Sequence, residues 1–288
     1  MTKNNKSSNR ILAKTLNTIK KTPTYVLLII IAIIMLFPFF WMITGSLKTY
    51  NEITANPIVW WPETVQWTNY KEALEFAPFD IFFLNTVIVC FANTTITLLT
   101  TILAAFAFAR LKFRGQQALF VLLLATLMIP GQLLIITNYK TITVDMHLND
   151  TLWALIIPYT ASGFYIYLLR QFFIGIPDEF YYAAKVDGCN DWGFLWRIMV
   201  PNTKNALITI ALFNWIASWN AYIWPLLITN SVEKRVLAIG LKYFSNETGT
   251  DFHLLMAAGT IVVLPLVILY IFTSKYILEG VAQGGIKG

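Results

Sequence analysis

The sequence predicts an all-α membrane protein of six transmembrane helices with both termini cytoplasmic. Three observations carry that reading. Of 288 residues, 57% are hydrophobic and only 12% charged, with mean hydropathy +0.62, outside the range of soluble domains. Six apolar segments are long enough at helical rise to cross a hydrocarbon layer of about 30 Å, and none of the six contains Lys, Arg, Asp, Glu or His. The cations gather in alternate connections, as short cytoplasmic loops require.

Residues 1–23 are rich in Asn, Ser and Lys. They read either as a loose tail that fixes topology or as a short amphipathic turn lying on the anionic inner leaflet. The spans follow at Thr24 to Leu47, Ile81 to Ala109, Gln116 to Tyr139, Thr151 to Leu169, Asn205 to Asn230 and Leu254 to Ser274. The first is too long, and lacks the small-residue site, for a cleaved signal peptide. Lys48 to Asp80 forms a long external connection whose Trp60, Trp61 and Trp67 suit the outer interface. Ser231 to Phe252 is a second external segment, and residues 279–288 form a carboxy-terminal tail. The organisation is therefore a six-span domain over 24–278 between two tails, with 171–204 its largest cytoplasmic connection. Pro38, Pro130, Pro158, Pro225 and Pro265 each fall inside a span, free a backbone carbonyl and bend the helix.

Charge fixes the orientation. Fifteen of the 21 basic residues lie on the side of the termini, in the tails and among Arg110, Lys112, Arg114, Arg170, Lys185, Arg197, Lys204 and Lys275, with five of the 15 acids. The net charge of +6 is thus a topology signal, and nucleic-acid binding is a poor reading of it.

Several function classes drop out. An ion-driven carrier needs ionisable side chains at membrane depth, and the spans carry none. No nucleophile with its base, metal cluster or phosphate-cradling glycine loop is recognisable, so the chain is not read as an enzyme and no cofactor is assigned to it. His147 and His253 sit at span boundaries, where they meet water rather than a metal. Cys90 and Cys189 stand at different membrane levels, which argues against a disulfide.

The intramembrane polar groups are uncharged: Asn85, Asn93, Thr94, Thr95, Thr97, Gln132, Thr160, Ser162, Asn214, Ser218 and Asn220. Such groups either bond between helices or line a path for a neutral hydrogen-bonding solute. Asn214, Ser218, Trp219 and Asn220, close to Trp215 and Trp224, are the candidate substrate pathway, a mixture suited to sugar hydroxyls and ring faces. If a polar solute is moved, the energy must come from elsewhere.

The 171–204 connection is patterned as two short helices. Asp178 and Glu179 follow Pro177 in a first turn, and Gly188 closes that helix. Asn190 or Asp191 caps a second helix, whose Trp192, Leu195, Trp196 and Met199 recur at i, i+3, i+4, i+7. Ala183 and Ala184 leave a shallow face on the first helix, open to a partner's groove.

The run Ile176 to Gly188, with Trp196, Arg197, Ile198 and Pro201, resembles the coupling loop of permease subunits of bacterial ATP-binding-cassette importers. The similarity extends to Ser46 to Thr49, Asn85-Thr86, Phe106 to Arg110, Pro158-Tyr159, Leu169 to Phe173, Trp219-Asn220 and Gly280 to Gly288. Together these resemble the carbohydrate branch, specifically its maltose-type second permease. The resemblance implies a type I ABC importer permease fold and a sugar importer in the bacterial plasma membrane. It also implies a second homologous permease, two ATPase subunits that bind ATP and Mg, and an extracellular sugar-binding protein. It assigns ATPase coupling to Glu179, Tyr182, Ala183, Ala184, Lys185, Asp187, Gly188, Arg197 and Pro201, and binding-protein contact to Lys234, Arg235, Lys242 and Asn246. Two positions depart from the pattern: Tyr182 stands where the family has Glu, and Ala221 where an acid is common. Without Glu at 182, the polar contact with the ATPase falls to Glu179, Lys185, Asp187 and Arg197. The alternatives are a permease for glycerol phosphate or a polyol and, in another class, a non-transporting membrane scaffold or sensor.

Overall fold

The computed structural model describes the backbone of residues 2–246 and 249–285 and the side chains of 22–245 and 249–275. Its helices in chain order are α1 (Thr2–Ser46), α2 (Tyr50–Thr54), α3 (Thr68–Phe76), α4 (Phe79–Arg110), α5 (Gln116–Thr126), α6 (Ile135–Lys140), α7 (Leu152–Ile156) and α8 (Gly163–Ile174). They continue as α9 (Asp178–Val186), α10 (Asp191–Phe194), α11 (Val200–Asn202), α12 (Lys204–Trp219), α13 (Ile223–Ile228), α14 (Leu237–Gly240) and α15 (Phe252–Gly285). Two short antiparallel strands, β1 (Ser245–Asn246) and β2 (Gly249–Thr250), pair Ser245 with Thr250. The backbone read as an amino-terminal tail is helical from Thr2 onward, while the side chains of 1–21 and of 276–288 lie outside the described residues.

Among the described residues, three helical stretches are long and apolar enough to cross a membrane unbroken: Thr22–Ser46, Phe79–Arg110 and Phe252–Lys275, the first, second and sixth expected spans. The third and fourth are broken. α5 meets Gly131–Asp145 at 91°, and Leu152–Tyr159 meets Gly163–Ile174 at 48°. The fifth stops at Trp219 and resumes at Ile223. Of the five in-span prolines, Pro130 and Pro158 lie at breaks, whereas Pro38 and Pro265 sit inside uninterrupted helices.

The chain forms two compact units. In the first, residues 1–73 with 251–260, the expected external connection is ordered by a few buried polar groups. Asn69 Nδ2 donates to the carbonyls of Ser46 (2.9 Å) and Lys48 (2.8 Å). Lys48 itself is fully buried, donates to Val59 O at 2.6 Å and lies 4.3 Å from the Trp41 ring centre. Thr49 and Glu52 form a capping box at the start of α2. Residues 22–39 of α1 are exposed, as an apolar helix facing lipid would be.

The second unit, 74–250 with 261–288, is built around α4, which packs against α7, α8, α12 and α14. The polar residues of α4 have a structural cause. Pro158 cannot donate to the carbonyl of Ala154 four residues back, and Trp224 Nε1 donates to it instead at 3.0 Å. Past the break, Thr97 Oγ1 donates to Tyr159 O (2.9 Å) and Thr100 Oγ1 to Thr160 O (2.7 Å). Side chains of neighbouring helices thus satisfy the carbonyls that the broken fourth segment leaves open, as an apolar surrounding demands.

Candidate functional site

The two short helices expected between residues 171 and 204 are α9 and α10, the latter continuing through a wide turn over Leu195–Met199. Asn190 Oδ1 accepts from Gly193 N at 2.7 Å and caps α10. At the end of α9, Gly188 adopts φ +76°. Its N–H donates to Lys185 O at 3.0 Å, and Cys189 N–H donates to Ala184 O at 2.8 Å. This pair of bonds is a Schellman cap, and its left-handed position suits glycine.

Ionic and aromatic contacts fix the two helices to each other. Asp191 Oδ1 accepts from Tyr181 Oη at 2.8 Å and lies 2.7 Å from Lys185 Nζ, and Tyr181 packs edge-on against Phe194. The Lys185 hydrogen bond, and then that from Tyr181, hold the Asp191 carboxyl below its usual range, while the same bond raises the Lys185 amine. Beneath them Ala184, Phe173, Phe194, Leu195, Met199, Phe106 and Ile210 form one buried cluster.

That cluster splits the alanine pair. Ala183 is exposed, but Ala184 is turned inward against the large side chains, so the shallow two-alanine face expected from the sequence is a single exposed alanine. The reason is helical geometry: adjacent residues point about 100° apart, and only one can share the core-facing stripe. Glu179, Tyr182, Asp187, Gly188, Arg197 and Pro201 are all exposed, whereas Lys185 is engaged with Asp191. Beside these charges the surface carries large apolar and aromatic side chains, with Phe180, Tyr182, Val186 and Trp192 each more than half exposed.

A contact missed by sequence reasoning binds α9 to α4. Pro177 offers no side-chain cap. Arg110, at the end of α4 and with a side chain only 8% exposed, ion-pairs with Asp178 and donates to the carbonyls of Ile176 and Phe173, the latter at 3.0 Å. A basic residue closing a long apolar helix was visible; that it would grip the next connection but one was not. Arg170 adds a second tie, with Nε donating to Phe108 O at 3.0 Å and its guanidinium 4.0 Å from the Phe120 ring centre.

In the same unit, α4, α7, α8, α12 and α13 surround a cavity of about 380 Å³. Asn214 and Ser218 of the expected pathway line it. Trp219 does not: it is buried, and its Nε1 donates to Val262 O at 3.1 Å. The Asn220 amide folds back on Ile216 O at 3.0 Å. Asn93, Ser162, Tyr159, Tyr165 and Trp224 complete the polar and aromatic lining. Asn93 and Ser162 stood in the polar inventory, but the tyrosines counted as apolar and gave no signal.

The cavity's hydrogen-bonding character is set by its second layer. Thr94 Oγ1 donates to Asn214 Oδ1 (3.2 Å), while Thr97 Oγ1, whose proton goes to Tyr159 O, lies 3.2 Å from Asn93 Oδ1. Asn93 Nδ2 donates to Ser218 Oγ at 3.1 Å. The Asn214 oxygen therefore has a donor in Thr94, and the Asn214 N–H groups carry no partner among the described residues. The arrangement offers fixed donors and aromatic faces without charge.

Of the residues assigned to binding-protein contact, Lys242 is exposed and Lys234 and Arg235 are half-buried. Arg235 bonds the Tyr243 hydroxyl and, with Lys242, borders a cleft of about 210 Å³. The side chain of Asn246 lies outside the described residues.

Residues 97–282 match the family described as binding-protein-dependent transport system inner membrane component. The arabinooligosaccharides transport system permease protein AraQ of Bacillus subtilis is 29% identical over 261 residues, 90% of this chain and 92% of its own. The sn-glycerol-3-phosphate transport system permease protein UgpE of Rhizobium meliloti is 30% identical over 268 residues, 90% of this chain and 95% of its own. Among solved structures, a bacterial ABC transporter involved in the import of the acidic polysaccharide alginate superposes with a TM-score of 0.79 at 25% identity, covering 94% of this chain and 98% of the other. The chain belongs to the family of binding-protein-dependent transport system inner membrane components, as a multi-pass permease subunit of an ABC importer and not an enzyme.

Proposed function

We propose that the chain forms half of the translocation pathway of a sugar importer, with an oligosaccharide as cargo. A second, homologous permease completes the pathway, two ATPases that bind ATP and Mg dock on α9 and α10, and an extracellular sugar-binding protein delivers the cargo. Six spans with both termini cytoplasmic fit this arrangement, the broken third, fourth and fifth segments each counting as one.

One observation carries the reading: a single helix, α4, lines the cavity with Thr86, Val89 and Asn93 and grips the start of α9 with Arg110. From Asn93 to Arg110 it spans about 25 Å at 1.5 Å per residue. Closure of the ATPases then moves α9 and α10, and α4 carries that motion to the cavity wall as a rigid element with two arrangements. The surface offered to the ATPase is led by Phe180, Tyr182, Val186 and Trp192, with Glu179, Asp187 and Arg197 supplying charge; Lys185 is spent within the loop. Tyr182 in place of Glu makes this contact more apolar than the family pattern.

A phosphate-bearing solute is the second reading, favoured by the glycerol-3-phosphate relative. The residues lining the cavity include no cation, and that supports the neutral sugar. The test is Asn214→Leu in the assembled importer. Sugar uptake should fall about tenfold, the loss expected when a hydrogen-bonding site can no longer pair with its ligand, with membrane level unchanged. Uptake equal to the parent would overturn the cavity's role.

A further inference from the structure

Asn85 and Thr86, near the start of α4, make an unusual set of bonds for residues in an apolar helix. Asn85 Nδ2 donates to two carbonyls of the 231–250 segment, Glu233 O at 2.8 Å and Arg235 O at 2.9 Å. Thr86 Oγ1 accepts from Leu237 N–H at 2.8 Å and donates to Phe82 O at 2.7 Å. Both donors of the Asn85 amide and the whole capacity of the Thr86 hydroxyl hydrogen are thereby used. They engage residues 233 to 237, a stretch in which the short turn Val232–Lys234 gives way to α14 and whose own backbone bonds are Lys234 N–H to Ser231 O, Arg235 N–H to Val232 O and Ile239 N–H to Val236 O.

Between those anchors sits Val236, 5% exposed, which forms part of the cavity wall beside Thr86 itself. The start of the segment is held separately: Asp150 Oδ1 accepts from Asn230 N at 2.8 Å and Ser231 N at 3.0 Å. Arg235, whose carbonyl Asn85 holds, directs its guanidinium the other way, to the Tyr243 hydroxyl and toward the cleft shared with Lys242. The strip from 233 to 237 therefore has a cavity-facing residue at Val236 and a cleft-facing cation at Arg235, and it is attached to α4 by these two polar side chains and by Val236, which shares a buried cluster with Val89.

We infer that Asn85 and Thr86 are positioning residues that latch the 233–237 strip against α4 as a wall of the cavity, so that displacing the external segment opens the cavity on that side. The inference rests on the orientation in the proposed function, with 231–252 outside. The bonds are well suited to a latch. They are few, they join a helix to an irregular strip, and their loss leaves two part-buried carbonyls and one buried N–H to be met by water that enters with opening.

The test uses the assembled importer in sealed membrane vesicles, with Cys90→Ala and Cys189→Ser and a reporter placed in the cavity as Ala221→Cys. A membrane-impermeant maleimide reads access. Asn85→Ala and Thr86→Val should each raise the labelling rate about tenfold in right-side-out vesicles, as loss of a hydrogen-bonded pair shifts an opening equilibrium. Thr86→Ser, which keeps the hydroxyl, should stay within about twofold of the parent because the bond to Leu237 N–H survives. Equal labelling of all four proteins in both right-side-out and inverted vesicles overturns the latch. A rise in Thr86→Ser as large as in Thr86→Val also overturns it, since shape rather than the hydroxyl would then hold the strip. The same pattern seen only in inverted vesicles keeps the latch and overturns the orientation.

Discussion

Replacing Gly188 by valine isolates the backbone requirement of the proposed link to the ATPase. A Cβ built at Gly188 meets no atom within 4 Å, so the substitution causes no clash within the chain. Its whole intramolecular cost comes from φ +76°, a region that costs an L-residue about 1–2 kcal/mol and a β-branched one most. Relief of that strain breaks the Gly188 N–H to Lys185 O and Cys189 N–H to Ala184 O bonds and swings α10 relative to α9. A penalty of 1–2 kcal/mol changes the ratio of ordered to relaxed loop by roughly 5- to 30-fold. Sugar uptake per importer should fall within that range, with membrane insertion intact. The control is Gly188→Asn, which adds a larger side chain but tolerates the left-handed region and should retain most of the uptake. Parental uptake in Gly188→Val refutes the role of the cap. Equal loss in Gly188→Asn and Gly188→Val refutes the backbone explanation and places the requirement on the surface presented to the partner.

Two further outcomes follow from the same helices. Ala184→Leu forces extra volume against Phe173 and Phe194 and should lower the stability of the detergent-solubilised chain by about 1–3 kcal/mol, whereas Ala183→Leu should change it by less than about 0.5 kcal/mol and instead weaken co-purification of the ATPase. The Lys185–Asp191 pair sets a pH prediction. Asp191, with its carboxyl lowered from 3.8, contributes stability above that value and loses it as pH falls through the lowered one; Lys185, raised from 10.5, contributes below that value and loses it as pH rises past the raised one. The melting-temperature difference between the parent and Asp191→Asn should therefore be constant from about pH 5 to 9, and a slope across that window would contradict the pairing.

The sequence displayed the helical class, the three unbroken spans and the two connection helices, because long apolar runs and capping residues act locally. Gly188 and Asn190 are found at their expected caps for that reason. What it concealed depends on partners distant in the chain. Pro158 announced a free carbonyl, but only the fold brings Trp224 to Ala154 O, and Thr97 and Thr100 to the next carbonyls. Of the polar residues of the second span, Thr97 serves that repair, Asn93 lines the cavity with Thr94 behind Asn214, and Asn85 holds the carbonyls of Glu233 and Arg235, a division invisible in a list of polar residues. Trp219, grouped with Asn214 by proximity in sequence, points to Val262 because one residue turns a helix face by about 100°. The alanine pair was misread for the same reason.

In the proposed function, α9 and α10 pass the energy of ATP hydrolysis to a sugar pathway inside this subunit. The most direct measurement of that transfer is ATP hydrolysis by the complete importer in proteoliposomes, with the sugar-loaded binding protein on the outside. Stimulation of hydrolysis together with sugar accumulation, both lost in Gly188→Val and retained in Gly188→Asn, is the predicted result. Hydrolysis indifferent to the loaded binding protein, or accumulation that persists undiminished in Gly188→Val, would contradict it.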